Sequence, residues 1–301
     1  MTPFRFAWWN TKLSPPGGKP ASPEKQTIAA EVVRALIDDH GVQLLALGEV
    51  SMEDLKSLRR ACRAPLDYTF EVPTTGNKRG SRLAILHHLE MVELREVMWP
   101  RVIWLGNPMR PSLQARVYFQ GELVNCFVLH WPSNFRDDAA AGKRQELARD
   151  LRRTIHELPD PEARVLVLGD FNAEPFSAEL NEGLKASRDR DRARAKHLLY
   201  NPCWRLLGEQ QTLGEETERR RGAGTYYYRQ SGQITRWFTM DQMLVSSALL
   251  SREQWHLDEG TVEIWQEPPL ANIRRGTPVL DFDHYPIVGS LRAPTAAAGR
   301  A

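Results

Sequence analysis

The stretch from Val165 to Asn172 constrains the fold more than any other part of the sequence. Its first half, Val165–Leu168, is apolar at every position, which is typical of a strand buried on both faces. Gly169, Asp170 and Asn172 follow directly, so polar groups lie at the carboxyl end of this strand. Asp170 and Asn172 are two residues apart and are expected on the same side. A carboxylate acceptor beside a carboxamide donor suits a water or anion site, although these residue types also form ordinary turns.

The composition predicts a globular protein with a sizeable core. The chain has 301 residues, of which 42% are hydrophobic, and this length suits one large α/β domain. No segment approaches the ~20 apolar residues of a membrane span, and the first residues contain no apolar signal core. We therefore expect a cytoplasmic protein with no membrane partner. The three cysteines, Cys62, Cys126 and Cys203, form no Cys-x-x-Cys motif for zinc or redox chemistry.

Strand ends elsewhere in the sequence carry further polar residues. An aromatic strand over residues 4–9 ends at Asn10, and an apolar strand over residues 42–47 ends at Glu49. The helix predicted between them, from a Ser22 cap to Gly41, favours parallel strands. Asn10 and Glu49 should then lie at one edge of a sheet, where open α/β sheets place their ligands.

The middle of the chain predicts several hairpins, followed by another apolar strand that ends in a polar residue. Strands are expected around residues 68–72, 83–88, 91–97, 113–119 and 123–129, with a hairpin turn at Gln120-Gly121. The last of them ends in His130; taken alone, a histidine at a strand end is more often a buried core residue than a catalyst. A helix over about 138–157 follows, and Arg144 near its start opposes the helix dipole, which suggests a nearby anion. A further helix is expected over 175–184.

The final third adds acids at two more strand boundaries. A strand is predicted over residues 238–246 with Asp241 near its start, and Asp283 and His284 precede a last strand. We expect residues 1–292 to form one domain and residues 293–301 to be a disordered tail.

Basic and aromatic residues indicate possible contacts with a polyanion. Although the net charge is only +2, lysines are few and arginine predominates among the 40 basic residues; arginine suits phosphate, but a GC-rich genome would produce the same bias. A glycine-rich loop carries Arg79 and Arg82, and Arg221 precedes an expected strand with Tyr226 and Tyr228. Aromatic rings beside arginines suit bases and phosphates, whereas solvated surface loops are the simpler explanation.

Taken together, these strand ends resemble the endonuclease/exonuclease/phosphatase superfamily, the group of deoxyribonuclease I. The matching motifs occur in the family's order along nearly the whole chain: Trp9-Asn10, Leu47-Gly48-Glu49-Val50, His130-Trp131-Pro132-Ser133, Gly169-Asp170-Phe171-Asn172, Met240-Asp241-Gln242-Met243-Leu244-Val245-Ser246 and Asp283-His284-Tyr285-Pro286. The resemblance implies an α/β (α+β) fold, a four-layer sandwich of two mixed β-sheets packed face to face with helices outside.

The resemblance also implies roles for the site residues. Mg²⁺ or Mn²⁺ would bind Glu49, with Asn10 and Asp283 in its shell. Asp170 would orient or deprotonate the attacking water, and Asn172 would hold that water or the phosphate. His284, oriented by Asp241, would contact the scissile phosphate, and His130 would donate to it.

Two departures from the apurinic endonucleases of this group narrow the expected function. Lys12 stands where those enzymes carry an acid, and His130 stands where they carry tyrosine. We therefore expect a metal-dependent phosphodiester hydrolase of the deoxyribonuclease I-like type, acting on nucleic acid, with DNA favoured and no obligate protein partner. Arg79, Arg82, Arg144, Arg221, Tyr226 and Tyr228 are the expected substrate contacts. Hydrolysis of a small phosphoester, such as an inositol phosphate or a nucleotide, and an inactive nucleic-acid-binding module are the alternatives.

Overall fold

The computed structural model describes residues 2–70, 82–133, 140–207, 223–229, 234–270 and 282–294. The α-helices in these ranges are α1 (Pro23–Arg34), α2 (Met52–Ala61), α3 (Ala140–His156) and α4 (Arg190–Lys196). The strands are β1 (Phe4–Asn10), β2 (Leu44–Gly48), β3 (Leu66–Phe70), β4 (Leu83–His88), β5 (Val92–Met98), β6 (Val102–Trp104), β7 (Asn107–Met109), β8 (Leu113–Phe119), β9 (Glu122–His130), β10 (Val165–Asp170), β11 (Ala186–Ser187), β12 (Leu199–Tyr200), β13 (Tyr226–Tyr227), β14 (Trp237–Phe238), β15 (Asp241–Val245), β16 (His256–Leu257), β17 (Glu263–Ile264) and β18 (Ile287–Arg292).

Most of these strands form two mixed sheets. The first has the order β16-β18-β1-β2-β4-β3, with β17 also paired to β18, and the second has the order β11-β12-β15-β10-β9-β8-β5. Parallel pairing joins β1 to β2 and β9 to β10, as the predicted crossover helices require. The other pairs of the two sheets are antiparallel, except β11 with β12.

The two sheets pack face to face, and the period of two along each strand decides which side chains meet. In β1, Phe4, Phe6 and Trp8 are fully buried between the sheets, and Phe4 stacks on Phe119 of the second sheet. In β10, Leu166 and Leu168 belong to this central core, whereas Val165 and Val167 belong to a second cluster with α3. The inward-facing residues at the carboxyl ends of β1 and β10 therefore lie at one end of this core.

Helices cover the outer faces of the sandwich. Since α1 connects the parallel strands β1 and β2, and α3 connects β9 and β10, each lies on the face that the opposite sheet leaves open. Leu147 and Leu151 of α3 are buried in the outer cluster against β10. The expected α/β sandwich of two mixed sheets with helices outside is confirmed. No helix in the described ranges has the length and apolarity needed to cross a bilayer.

Several predicted elements are confirmed, and three differ. The hairpin turn at Gln120-Gly121 joins β8 and β9, with φ of 51° and 83° at its two residues. The helix expected over 175–184 is reduced to one π-helical turn, Glu179–Gly183. The helix expected to run to Gly41 leaves α-helical geometry after α1 and ends in a π-helical turn, Ala35–Asp39.

The third difference lies beside the site. The strand predicted over 238–246 is divided, because its first part pairs with β13 and its second part with β10. Between the two parts, Thr239 N donates to Glu174 Oε2 and the Met240 carbonyl accepts from Phe171 N. These two hydrogen bonds join the divided strand to the loop that follows Asp170.

Candidate active site

Polar residues occupy the inward positions at the end of the central core. Asn10, His130 and Asp170 are the last residues of their strands, and Asp241 is the first residue of the antiparallel β15. In the second sheet, Asp170 pairs in register with His130 on one side and with Asp241 on the other. The alternation that buries apolar side chains below them therefore gathers these polar groups in one layer.

Asp170 lies at the centre of this layer and is 1% exposed. Its Oδ1 accepts a hydrogen bond from the backbone N–H of Asn172 at 2.9 Å, and its Oδ2 accepts one from Asn10 Nδ2 at 3.2 Å. Nε2 of His130 lies 3.6 Å from Oδ2, and Nε2 of His284 lies 4.0 Å from it. Burial and the neighbouring Asp241 raise the pKa of Asp170, while the two histidines oppose that rise.

Asp241 and His284 form a buried pair beside Asp170. Nδ1 of His284 lies 2.8 Å from Asp241 Oδ2, and Trp8 Nε1 donates to Asp241 Oδ1 at 2.7 Å. Burial alone disfavours an imidazolium, but Asp241, Asp170 and Asp283 more than offset burial and raise the pKa of His284 to about 10. The raised pKa of His284 favours the imidazolium form at neutral pH, in which both ring nitrogens carry protons.

Glu49 faces the same layer with far fewer bonds. It follows β2 directly, and its backbone is left-handed with φ of 57°. Its carboxylate accepts no hydrogen bond from the described residues, and its described ion-pair partner is His130 Nε2 at 3.8 Å, which is beyond hydrogen-bond distance. A carboxylate with so little internal compensation suits a ligand from outside the chain.

Asp283 is held by Lys12. Lys12 Nζ donates to Asp283 Oδ2 at 2.8 Å, and Lys12 N contacts Asn10 Oδ1 at 3.3 Å. The other oxygen, Asp283 Oδ1, is buried and has no hydrogen-bond partner in the described part of the chain. Asp283 thus has one oxygen neutralised by a lysine and one oxygen available to a cation.

Asn172 and Gly169, on either side of Asp170, hold this segment against the end of β9. Asn172 is left-handed with φ of 48°, a conformation that asparagine tolerates well, and its Nδ2 donates to the Trp131 carbonyl at 2.9 Å. A Cβ at Gly169 would lie 2.2 Å from the Leu129 carbonyl oxygen, so only glycine fits there. The loop is therefore closely joined to the end of β9.

Two sets of residues could hold a metal ion. Asp170, Asp241 and His284 have possible ligand atoms within 4.8 Å of one another. Hydrogen bonds inside the protein already occupy these groups, because Asp241 bonds to His284 and Trp8, and Asp170 accepts from Asn10 and Asn172. Glu49, Asn10 and Asp283 offer oxygen ligands, the type that a hard divalent cation prefers, and the Glu49 carboxylate and Asp283 Oδ1 are less completely bonded than Asp170 and Asp241.

The expected substrate contacts are dispersed. Arg79 and Arg221 lie outside the described residues. Arg82 is half-buried beside Glu49, since its carbonyl accepts from Glu49 N at 3.0 Å. Tyr226 lies against the site, with its ring 4.6 Å from the His284 ring and 6.5 Å from that of Tyr228.

Arg144 is the expected contact that the structure contradicts. Its side chain is 2% exposed and donates to Glu179 Oε1 at 3.0 Å from Nε and 2.7 Å from Nη2. It also donates to the Pro132 carbonyl at 3.0 Å. The charge that opposes the dipole of α3 is thus balanced by a carboxylate of the protein itself, so Arg144 does not face a substrate.

The structure adds two residues to the site, Trp8 and Lys12. The sequence indicates only an aromatic strand for Trp8, although its spacing of two from Asn10 places both side chains on one face. Lys12 is a departure from related enzymes in the sequence, but its partner, Asp283, is 271 residues away. No local sequence pattern indicates a pair at that separation.

Comparison with known proteins agrees with this geometry. A profile of the Endonuclease/Exonuclease/phosphatase family matches residues 23–277. A comparison with curated protein sequences finds no match. Among solved structures, an endonuclease/exonuclease/phosphatase family protein from Bacteroides thetaiotaomicron is similar at 15% identity and a TM-score of 0.61, covering 96% of this chain and 95% of that one.

Two further structures have the same fold. TDP2 from D. rerio, solved with a single-strand DNA product, has 15% identity and a TM-score of 0.62, with 97% and 100% of the two chains covered. The mannosyl-6-phosphatase of B. thetaiotaomicron VPI-5482 has 16% identity and a TM-score of 0.60, with 96% and 99% covered. Members of this family generally depend on a divalent metal ion. The chain belongs to the endonuclease/exonuclease/phosphatase family and, like its other members, is a hydrolase of phosphate ester bonds.

Proposed function

We propose that the chain is a metal-dependent phosphodiesterase acting on nucleic acid, with DNA as the favoured substrate. The observation that carries this proposal is the placing of Asp170, His284 and the Tyr226 ring next to one another. A base can activate the attacking water, a cationic donor can stabilise charge on the phosphate, and an aromatic ring can stack on a nucleic-acid base.

In this proposal, Asp170 orients the attacking water and accepts its proton. Its buried position makes the carboxylate a stronger base than a solvated one. The bonds from Asn10 and the Asn172 backbone hold the carboxylate in one orientation, and the Asn172 side chain holds the water or the phosphate.

His284 and His130 stabilise the charge that develops on the phosphate. His284 donates from Nε2, because Asp241 occupies Nδ1 and fixes the ring. His130 approaches the same region, with Nε2 3.6 Å from Asp170 Oδ2. Donors already in place when charge develops lower the barrier without reorganising.

Mg²⁺ or Mn²⁺ would be held by Glu49, Asn10 and Asp283. The nearly unbonded Glu49 carboxylate and the unpaired Asp283 Oδ1 fit such an ion. When bound, the ion would polarise the phosphoryl group and stabilise the leaving oxygen. Few protein oxygens suit Mg²⁺ in particular, since it keeps several waters.

A group of aromatic rings favours nucleic acid as the substrate. Tyr226, Tyr228 and Phe238 form a group of half-buried rings at the His284 side, on which bases can stack. Arg82, and Arg79 and Arg221 outside the described residues, would contact the phosphates.

A small phosphoester is the second candidate substrate. The similarity to a mannosyl-6-phosphatase is as close as the similarity to TDP2, so the fold gives no preference between them. The two candidates differ in the charge on the substrate. A polynucleotide releases counterions on binding and a small ester releases few, so only the former should bind with a steep salt dependence.

A substrate panel with Mg²⁺ and Mn²⁺ tests the proposal. We expect hydrolysis of single-stranded DNA to exceed that of double-stranded DNA, RNA, bis(p-nitrophenyl) phosphate and sugar phosphates. EDTA should abolish it, and Asp170→Asn should serve as the inactive control. Faster turnover of a sugar phosphate, insensitive to salt, would replace the first candidate with the second.

A further inference from the structure

We infer that Trp8 is a positioning residue of the active site: its indole N–H fixes the Asp241 carboxylate and thereby the His284 ring. This inference rests on the site described under the proposed function. It assigns a role to a side chain that touches neither substrate nor metal.

The bonds of Asp241 are divided between two donors. Trp8 Nε1 donates to Oδ1 at 2.7 Å, and His284 Nδ1 bonds to Oδ2 at 2.8 Å. Asp241 and Trp8 are each 0% exposed, so water does not replace either donor. In the described part of the chain, the Trp8 N–H is the one donor to Oδ1. Each oxygen thus has its own partner, and rotation of the carboxylate would break both bonds.

The backbone of β2 leaves room for the Trp8 ring in this position. Gly48 lies beside β1 in parallel register with Asn10, and a Cβ there would stand 2.7 Å from the Cη2 atom of Trp8. Any larger residue at 48 would displace the indole. The ring position is therefore set by the packing of β1 against β2.

The hydrogen bonds from Trp8 to Asp241 and from His284 to Asp241 both cross the interior of the sandwich. Trp8 belongs to β1 of the first sheet, Asp241 to β15 of the second, and His284 precedes β18, which pairs with β1. Without the indole N–H, Asp241 Oδ1 would be a buried acceptor with no donor, which is costly. The carboxylate would then rotate toward the remaining donor, His284, and tilt the ring away from Asp170 Oδ2, now 4.0 Å from Nε2.

Such a tilt should affect the chemical step more than substrate binding. A misplacement of about 1 Å in a reacting group can cost about a hundredfold in rate. We therefore expect Trp8→Phe to lower kcat by about ten- to a hundredfold with KM unchanged. In Asp241→Asn, where the carboxylate is already lost, adding Trp8→Phe should lower kcat no further.

Trp265→Phe is the matched control. Trp265 is 2% exposed and donates its indole N–H to His40 Nε2 at 3.1 Å, outside the site. This variant loses the same atom from an equally buried ring, and its kcat should equal that of the wild type.

A spectroscopic readout separates positioning from general damage. With ¹⁵N-labelled histidine, the Nδ1–H proton of His284 should resonate at low field and change its chemical shift in Trp8→Phe; Asp241→Asn assigns the signal. If Trp8→Phe does not fold, 3-benzothienylalanine at position 8 keeps the ring size and removes only the N–H. The inference is supported if kcat falls and the resonance shifts, and an unchanged resonance or a kcat within twofold of wild type would overturn it. If the wild type hydrolysed no phosphodiester, the proposed function would fail, and the resonance alone would decide the role of Trp8.

Discussion

The two halves of the site differ in how completely the protein satisfies its own carboxylates. Asp170 and Asp241 accept hydrogen bonds on both oxygens from Asn10, Asn172, Trp8 and His284. Glu49, which follows β2 of the opposite sheet, has one described ion-pair partner, His130 Nε2 at 3.8 Å. The first half is organised by internal bonds before any ligand arrives. The second half, which we call the open half, keeps carboxylate oxygens largely unbonded, and Asp283 is intermediate, with one oxygen on Lys12 and one unpaired.

This difference predicts that substitutions in the two halves fail in different ways. Loss of an internally bonded group should remove a chemical step that no added ligand can restore. Loss of an open group should weaken metal binding, which more metal can compensate.

The largest expected effect is that of Asp170→Asn. Removing the proposed base should lower kcat by about 10²- to 10⁴-fold, and raising Mn²⁺ should not restore it. Steady-state kinetics at several Mn²⁺ concentrations measure this. Asp150→Asn, a buried acid on α3 outside the site, is the control and should keep its kcat. Activity near that of the wild type in Asp170→Asn would remove Asp170 from the mechanism.

The next largest effect is expected for Glu49→Gln. Losing a ligand charge should weaken Mn²⁺ binding by about 10- to 100-fold, as measured by electron paramagnetic resonance titration, and high Mn²⁺ should recover most of the activity. The exposed Glu53 on α2 provides the control, Glu53→Gln. If Glu49→Gln bound Mn²⁺ as tightly as the wild type, the open half of the site would not be the metal site.

The internally bonded half of the site, which contains Asp170, Asp241 and His284, is expected to make the stability of the protein depend on pH. The pKa of His284 is raised to about 10 from the ordinary value of 6.5, so its charged form stabilises the folded state. This contribution is complete below pH 6.5 and is lost as the pH rises toward 10. With EDTA present, the free energy of unfolding of the wild type should fall across this range more than that of His284→Gln. Parallel curves for the two proteins would contradict a charged His284.

The smallest effect is expected at the edge of the open half. Arg82→Ala should raise KM for single-stranded DNA a few-fold without changing kcat, and should lower the slope of log KM against log salt by about one. The exposed Arg194 on α4 offers a control in Arg194→Ala. An unchanged salt slope would exclude Arg82 from the phosphate path.

The sequence predicted which residues reach the site better than how they are bonded there. The apolar runs of β1, β9 and β10 end at Asn10, His130 and Asp170, and the parallel order of β1 and β2 follows from the helix between them. These are consequences of local sequence patterns.

Partners distant in the chain could not be predicted in this way. Arg144 finds Glu179 35 residues away, and Trp8 finds Asp241 233 residues away. Which donor satisfies a buried acceptor depends on how the two sheets pack, and periodicity within one strand carries no such information. Local patterns therefore wrongly predict that Arg144 contacts the substrate, and they do not reveal the hydrogen bond from Trp8 to Asp241.

The order of strands has a consequence for synthesis on the ribosome. The first sheet takes β1–β4 from the beginning of the chain and β16–β18 from its end, while the second sheet comes from the part between. The neighbour of β1 on one side, β18, emerges last, and His284 emerges only shortly before it. A nascent chain therefore holds Asn10, Glu49 and Asp170 long before it has His284. On the role proposed for His284, we expect a chain truncated before it to be inactive, even though the other site residues are already present.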